Sequence, residues 1–190
     1  MRPELANTAE VEFYTPDEFK RMLEGARDGL ESLRPLIAIG GLAGLRTAEL
    51  MRLDWADVWR VSGHIEITAG KAKTRQRRLV ETCPTLAAWL KIYGSKKSGK
   101  LWEGHEVTFQ QHLGDLCEKA KVSRKHNGLR HSYCTYHLAK ESNENLTAAQ
   151  AGNSPTMIHG HYKGLVTKSE AEEWFGTIPK KLPGSKDEAE

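Results

Sequence analysis

The sequence predicts a mainly α-helical domain with a small antiparallel β-sheet set in early, an α+β class. Three observations predict it. Apolar residues recur at helical spacing through most of the chain. Around Ile65 and Ile67 the period shortens to two, and the polar run GKAKTRQ separates that stretch from RRLVET. Caps and prolines stand where helices would open, at Thr15-Pro16, Pro84 and Ser154-Pro155.

Residues 1–12 read as a loose lead-in. TPDEFKRMLEGARDGL then opens a helix: Thr15 caps it, Pro16 takes the first turn, and Asp17 and Glu18 suit the positive end of the dipole. A second helix runs through LIAIGGLAG to Gly44, and RTAELMRL resumes helical spacing with Leu50, Met51 and Leu53 as apolar positions. Val58 to Val80 reads as a hairpin or three-stranded sheet. Helices return at PTLAAWLKIYG from Pro84 and at VTFQQHLGDLCEKA, from Thr108 onward, with KKSGK as an exposed loop between them. GLRHSYCTYHLAKES, LTAAQAG (ending at Gly152), SPTMIHGHY and KSEAEEWFG are further helices, and residues 180–190 read as a frayed tail. The expectation is one domain over residues 13–179.

Length and composition fit that expectation. A chain of 190 residues supports one substantial core rather than two full domains, and 38% hydrophobic with 28% charged residues is ordinary for a globular protein. PLIAIGGLAGL is too short and too glycine-broken to span a bilayer, so it reads as a buried helix. The N-terminus lacks the apolar centre of a secretory signal. Cys83, Cys117 and Cys134 show no paired spacing and read as reduced thiols. A cytoplasmic protein without a membrane partner is expected. The net charge of +3 is unevenly spread: Arg60 to Arg130 holds fifteen Lys or Arg against six Asp or Glu, so the remainder is acidic. A basic middle suits a surface that meets a polyanion, although a solvated lysine-rich face would look the same.

Three arrangements carry candidate chemistry. In GLRTAEL, Arg46 opens a helix and Glu49 stands three residues on, on the same face. The pair would present a guanidinium fork to a phosphate, or be a surface ion pair. In GKAKTRQRRLV, a lysine on a strand turn can reach into a site and donate a proton when its pKa is tuned. In HNGLRHS and AGNSPTMIHGHY, His126 and Arg130 share a helical face if the helix has begun by then, and Tyr162 sits just past a short helix beside His159 and His161. These spacings match no familiar zinc site, so a histidine-rich metallohydrolase ranks below a phosphate site. His131 and His137 read as structural histidines against the core.

Order and spacing say more than any single motif. Arg-x-x-Glu, a strand lysine, x-x-Leu-Arg-His, Gly-x-Ser and a tyrosine nine residues after that x resemble the catalytic domain of the tyrosine recombinase (phage integrase) family. The resemblance runs from about Tyr14 to Pro179. It implies that fold, and it implies DNA strand cleavage and rejoining in site-specific recombination or integration, as in mobile elements. The matching residues imply a scissile phosphate clamped by Arg46 and Arg130, with Glu49 in support. Tyr162 would be the nucleophile that forms a 3′-phosphotyrosine link. Lys73, five residues before Arg78, is the favoured proton donor to the 5′-oxygen; Lys71 would share its strand face and competes for the role. Lys71, Arg75 and Arg77 would meet DNA.

Two positions depart from the family pattern. Asn127 stands where it usually has histidine, three before Arg130, and Asn153 where it has histidine or tryptophan, nine before Tyr162. Asparagine donates hydrogen bonds but exchanges no proton near neutral pH. His126, one residue off register, is the first substitute, supported by His131, with His159 and His161 behind. The alternative is a DNA-binding module of the same fold with impaired chemistry. The implied partners are double-stranded DNA and further copies of the chain, four in a synaptic complex and a monomer in isolation. No cofactor or metal is implied. Trp174 and Phe175 belong to a segment that would dock on a neighbouring copy or pack back on its own domain.

Overall fold

The structure is a computed structural model that describes residues 11–72 and 76–180. In chain order its elements are α1 (Pro16–Gly25), α2 (Leu33–Ala43), α3 (Thr47–Leu50), α4 (Trp55–Trp59), β1 (His64–Ile67), β2 (Arg78–Glu81), α5 (Pro84–Lys91), α6 (Glu106–Lys119), α7 (Gly128–Glu141), α8 (Glu144–Ala151), α9 (Pro155–Tyr162) and α10 (Lys168–Phe175). The mainly helical class with a small antiparallel sheet is thus the observed one. Residues 1–10 of the expected lead-in and 181–190 of the expected tail lie outside the described residues.

α2 is the core helix, because LRPLIAIGGLA leaves it no polar face to turn outward after Arg34. It packs against α7 and α5 and touches α1, α3 and α6. α1 starts where Thr15 accepts from the Glu18 N–H (3.2 Å) and Glu18 accepts from the Thr15 N–H (2.8 Å), and it buries Phe19, Met22 and Leu23. α10 closes the same core. Trp174 stacks between Phe19 and Tyr136, with ring centroids 4.1 Å and 4.5 Å away, and its Nε1 donates to the Gly41 carbonyl at 2.9 Å. Of the two expectations for this segment, the structure shows it packed on its own domain. A second apolar cluster joins α7, α8 and α9 through Tyr133, Cys134, Leu138, Ala148, Ile158 and Tyr162.

Five expectations change. Val58 is helical, not strand: Asp54 and Asp57 form a reciprocal capping box, and Trp55 and Val58, three apart, are buried together. The sheet among the described residues therefore has two strands, paired His64↔Glu81 through Ile67↔Arg78, with Ile65, Ile67 and Val80 buried. α3 is a single turn that ends before Met51, and α6 begins at Glu106, two residues ahead of Thr108. α7 begins only at Gly128, because Asn127 adopts a left-handed backbone (φ 51°), so His126 precedes the helix and shares no helical face with Arg130. Tyr162 is the last residue of α9 rather than a residue beyond it. No helix of the described residues is long and apolar enough to cross a membrane.

Candidate active site

The site is built where α2 and α8 end. Gly44 closes α2 at φ 67°, and a Cβ there would fall 2.2 Å from the Tyr133 ring, so only glycine fits the turn. Its carbonyl accepts from Arg130 Nη1 at 2.7 Å, and the same nitrogen reaches the Ala151 carbonyl at 2.7 Å. Gly152 closes α8 at φ 66°, and its carbonyl accepts from Arg46 Nη2. One residue earlier than Ala151, the Gln150 carbonyl accepts from Arg78 Nε at 3.3 Å. Three successive carbonyls at the end of α8 therefore hold three arginines. Such carbonyls lack partners inside their helix and lie at its negative end, which is where guanidinium groups are favoured.

Glu49 ties two of these arginines together. It is fully buried, takes both Nη groups of Arg78 at 2.9 Å and 2.8 Å, and accepts from the Arg46 backbone N–H at 2.9 Å and from Arg46 Nη1 at 3.4 Å. Burial pushes its pKa up, but the bonds and charges of Arg78 and Arg46 outweigh that and hold the carboxyl below its usual range. The Arg46–Glu49 pair predicted from sequence is thus a buried brace. Arg78 was a landmark in the sequence rather than a site residue. The available signal was its place on β2, on the same face as the buried Val80 two residues on, which is unusual for a charged residue.

An open groove of about 1020 Å³ lies over this frame, lined by Arg46, Arg52, Asn127, Arg130 and His131 among others. Among the described residues Arg130 makes no hydrogen bond through Nε or Nη2, so both remain for an anion in the groove. Burial lowers the Arg130 pKa, yet a guanidinium keeps its charge at any working pH. Asn127 lines the groove without capping α7 through its side chain. Asn153 does not line it; its Oδ1 accepts from the Ser154 N–H at 3.3 Å.

Tyr162 is 5% exposed and packs in the second apolar cluster. Its hydroxyl meets His131 Nδ1 at 2.8 Å. Burial raises the Tyr162 pKa, with Cys134 adding and Arg130 opposing, while burial and the Arg130 charge lower that of His131. The pair is accordingly a neutral phenol beside a neutral imidazole at pH 7. His131, read from sequence as structural and only supporting, is the histidine that touches the tyrosine. Among the described residues the other histidines make no hydrogen bond to the Tyr162 hydroxyl, although the His161 ring lies 6.2 Å from the Tyr162 ring. His126 is exposed beside Asn127 in an adjoining cleft, His159 pairs with Glu144 at 2.7 Å, and His137 meets Thr147 at 2.8 Å with its pKa pushed down to about 4 by burial. Among the described residues no three His, Cys, Asp or Glu side chains converge as for a metal.

The lysine candidates divide. Lys73 and Arg75 lie outside the described residues. Lys71 is held by both Asp54 and Asp57; burial lowers its pKa, but the two carboxylates outweigh that and raise it. Arg77 is exposed on the hairpin and bonds Glu66 at 2.7 Å.

No family model and no curated protein matches the sequence. Solved structures do match. The XerA recombinase shares 20% identity at a TM-score of 0.69, over 90% of this chain and 67% of that one. A lambda integrase dimer bound to a COC′ core site shares 16% at 0.61, over 84% and 62%. The XerH site-specific recombinase, in a post-cleavage complex with a palindromic difH substrate, shares 20% at 0.66, over 90% and 55%. The chain has the catalytic-domain fold of the tyrosine recombinases. It spans between about half and two thirds of the structures it matches.

Proposed function

We propose that this protein cuts and rejoins DNA one strand at a time through Tyr162, as the catalytic part of a tyrosine-type site-specific recombinase or integrase. One observation carries the reading. Arg46 and Arg130 are fixed on helix ends and open into one groove, whose wall residue His131 holds the Tyr162 hydroxyl. That is an anion site with a nucleophile at its edge. Attack on a phosphodiester builds charge on the non-bridging oxygens, and preorganised guanidinium groups stabilise it in a site poor in water. The Tyr162–phosphorus bond keeps the energy of the broken link, so rejoining requires neither ATP nor a metal. The recombinases bound to DNA among the matching structures support the reading.

In this reading Lys73 protonates the departing 5′-oxygen, since Lys71 is committed to Asp54 and Asp57. Asn127 donates to a phosphoryl oxygen, and Arg75 and Arg77 face DNA. Asn153 serves the site through the backbone turn after α8. The partners are duplex DNA and further copies of the chain, four in the synaptic complex; the setting is cytoplasmic. The second reading, a DNA-binding module that does not cleave, draws on Asn127 and Asn153, which exchange no protons, and on the covered Tyr162 hydroxyl.

Mixing the protein with supercoiled plasmid at low salt, quenching with detergent and separating protein-linked DNA distinguishes them. Cleavage predicts an adduct that Tyr162→Phe abolishes. DNA retention without an adduct favours the binding module.

A further inference from the structure

Tyr162 must lose a proton to attack, and the two family positions that would assist carry asparagine. Something else has to take that proton. Among the described residues, two titratable groups touch the Tyr162 hydroxyl: His131 Nδ1 at 2.8 Å, and the Cys134 thiol, which burial pushes up to about 11 and so keeps protonated, leaving the imidazole to accept. The ring belongs to both sides of the site. It stands on the first turn of α7, next to Arg130, and lines the groove, while Tyr162 itself is covered. The rings are tilted, with 5.8 Å between centroids and 36° between their planes.

We infer that His131 is the general base that receives the Tyr162 proton during strand cleavage, in place of the histidine absent at Asn127. The inference rests on the strand-cleavage reading. In the Nε2–H tautomer, Nδ1 accepts from the phenol and Nε2–H is left to donate into the groove. As the Tyr162 oxygen bonds to phosphorus, its O–H bond breaks and the proton passes to Nδ1, giving an imidazolium. The phosphorus–O5′ bond breaks in the same displacement, and the 5′-oxygen leaves as a hydroxyl after taking a proton from the lysine donor. On rejoining, the imidazolium returns its proton to the phenolate as the 5′-hydroxyl attacks. Arg130 opposes a charged His131, but a phosphodiester seated on Arg130 offsets that charge, so the base gains its strength only when substrate is bound.

The groups facing this pair are known. Arg130, His126 and His161 act on the imidazole; Cys134, Arg130 and Arg46 act on the phenol. Burial first, and then the Arg130 charge, keep His131 below its usual value of about 6.5, so capture of DNA should hold steady through neutral pH and fall only in more acid solution.

The test uses a pool of short, singly nicked duplexes of randomised sequence, scored for covalent capture by wild type, Tyr162→Phe, His131→Gln and His131→Ala. Gln retains size and hydrogen bonding but takes no proton. The inference predicts capture slowed about 100-fold or more in His131→Gln, loss of the acid limb of the pH profile, and partial rescue of His131→Ala by added imidazole. Rescue requires a folded protein, which separates lost chemistry from lost structure. Equal capture by His131→Gln and wild type, with none in Tyr162→Phe, overturns the His131 role and leaves Tyr162 as nucleophile. Capture that persists in Tyr162→Phe, or no wild-type capture, overturns the strand-cleavage reading and this inference with it.

Discussion

Glu49 shows how much one residue can hold. It is a buried carboxylate between two guanidinium groups, and removing its charge leaves Arg46 and Arg78 facing each other without compensation. Glu49→Gln should cost about 3 kcal/mol in urea unfolding at neutral pH. Its folded pKa lies below the unfolded one, so its contribution is present above about pH 4.3 and fades as pH falls through the folded value. The wild-type and Glu49→Gln stabilities should therefore converge in acid; a gap that stays constant with pH would contradict the brace. At this scale the sequence was informative where partners are close along the chain. Arg46 and Glu49, three apart, form the pair their spacing suggests. It was silent where partners are distant: Tyr162 meets His131 across thirty-one positions, and Lys71 meets Asp54 across seventeen, with no local pattern to announce either.

The elements were legible where a cap or a long period marks them. Thr15, Pro84, Ser154 and Gly152 bound their helices as capping chemistry predicts. Short elements were not. α4 has little more than one helical turn, and WADVWRV alternates as well as it repeats at 3.6, so its Asp54-Asp57 box was the only honest signal of a helix. The end of α8 is the element that matters most for function, because its last carbonyls orient Arg78, Arg130 and Arg46. Gly152→Ala tests it. The new Cβ would sit 2.9 Å from Arg78 Cζ on a left-handed backbone. Left-handed strain alone costs about 1 kcal/mol. DNA capture should fall well beyond what that loss of stability explains, as the arginines shift. A variant less stable but equally active would show that the frame tolerates displacement.

Over the whole molecule, one core joins the first helix to the last. Phe19, Trp174 and Tyr136 form a continuous stack, so α10 is part of the domain that carries the site. Trp174→Ala should lose about 4 kcal/mol of unfolding free energy, the scale for emptying a buried tryptophan site. An unchanged urea midpoint would place α10 elsewhere. Whether α10 docks in cis or on a neighbour was undecidable from KSEAEEWF, because an amphipathic helix with one aromatic edge serves either use equally. The fold class, by contrast, was readable from the helical spacing, its shift to a period of two and the caps and prolines that open the helices.

The central claim is that Tyr162 attacks a phosphate held by Arg46 and Arg130. Covalent complexes captured on nicked DNA, trimmed with nuclease and digested to peptides, can be weighed by mass spectrometry to locate the attached nucleotide. The account predicts a 3′-nucleotide on the peptide containing Tyr162 and a free 5′-hydroxyl on the released strand. A nucleotide on any other residue, or a 5′-phosphate on the released strand, would contradict it.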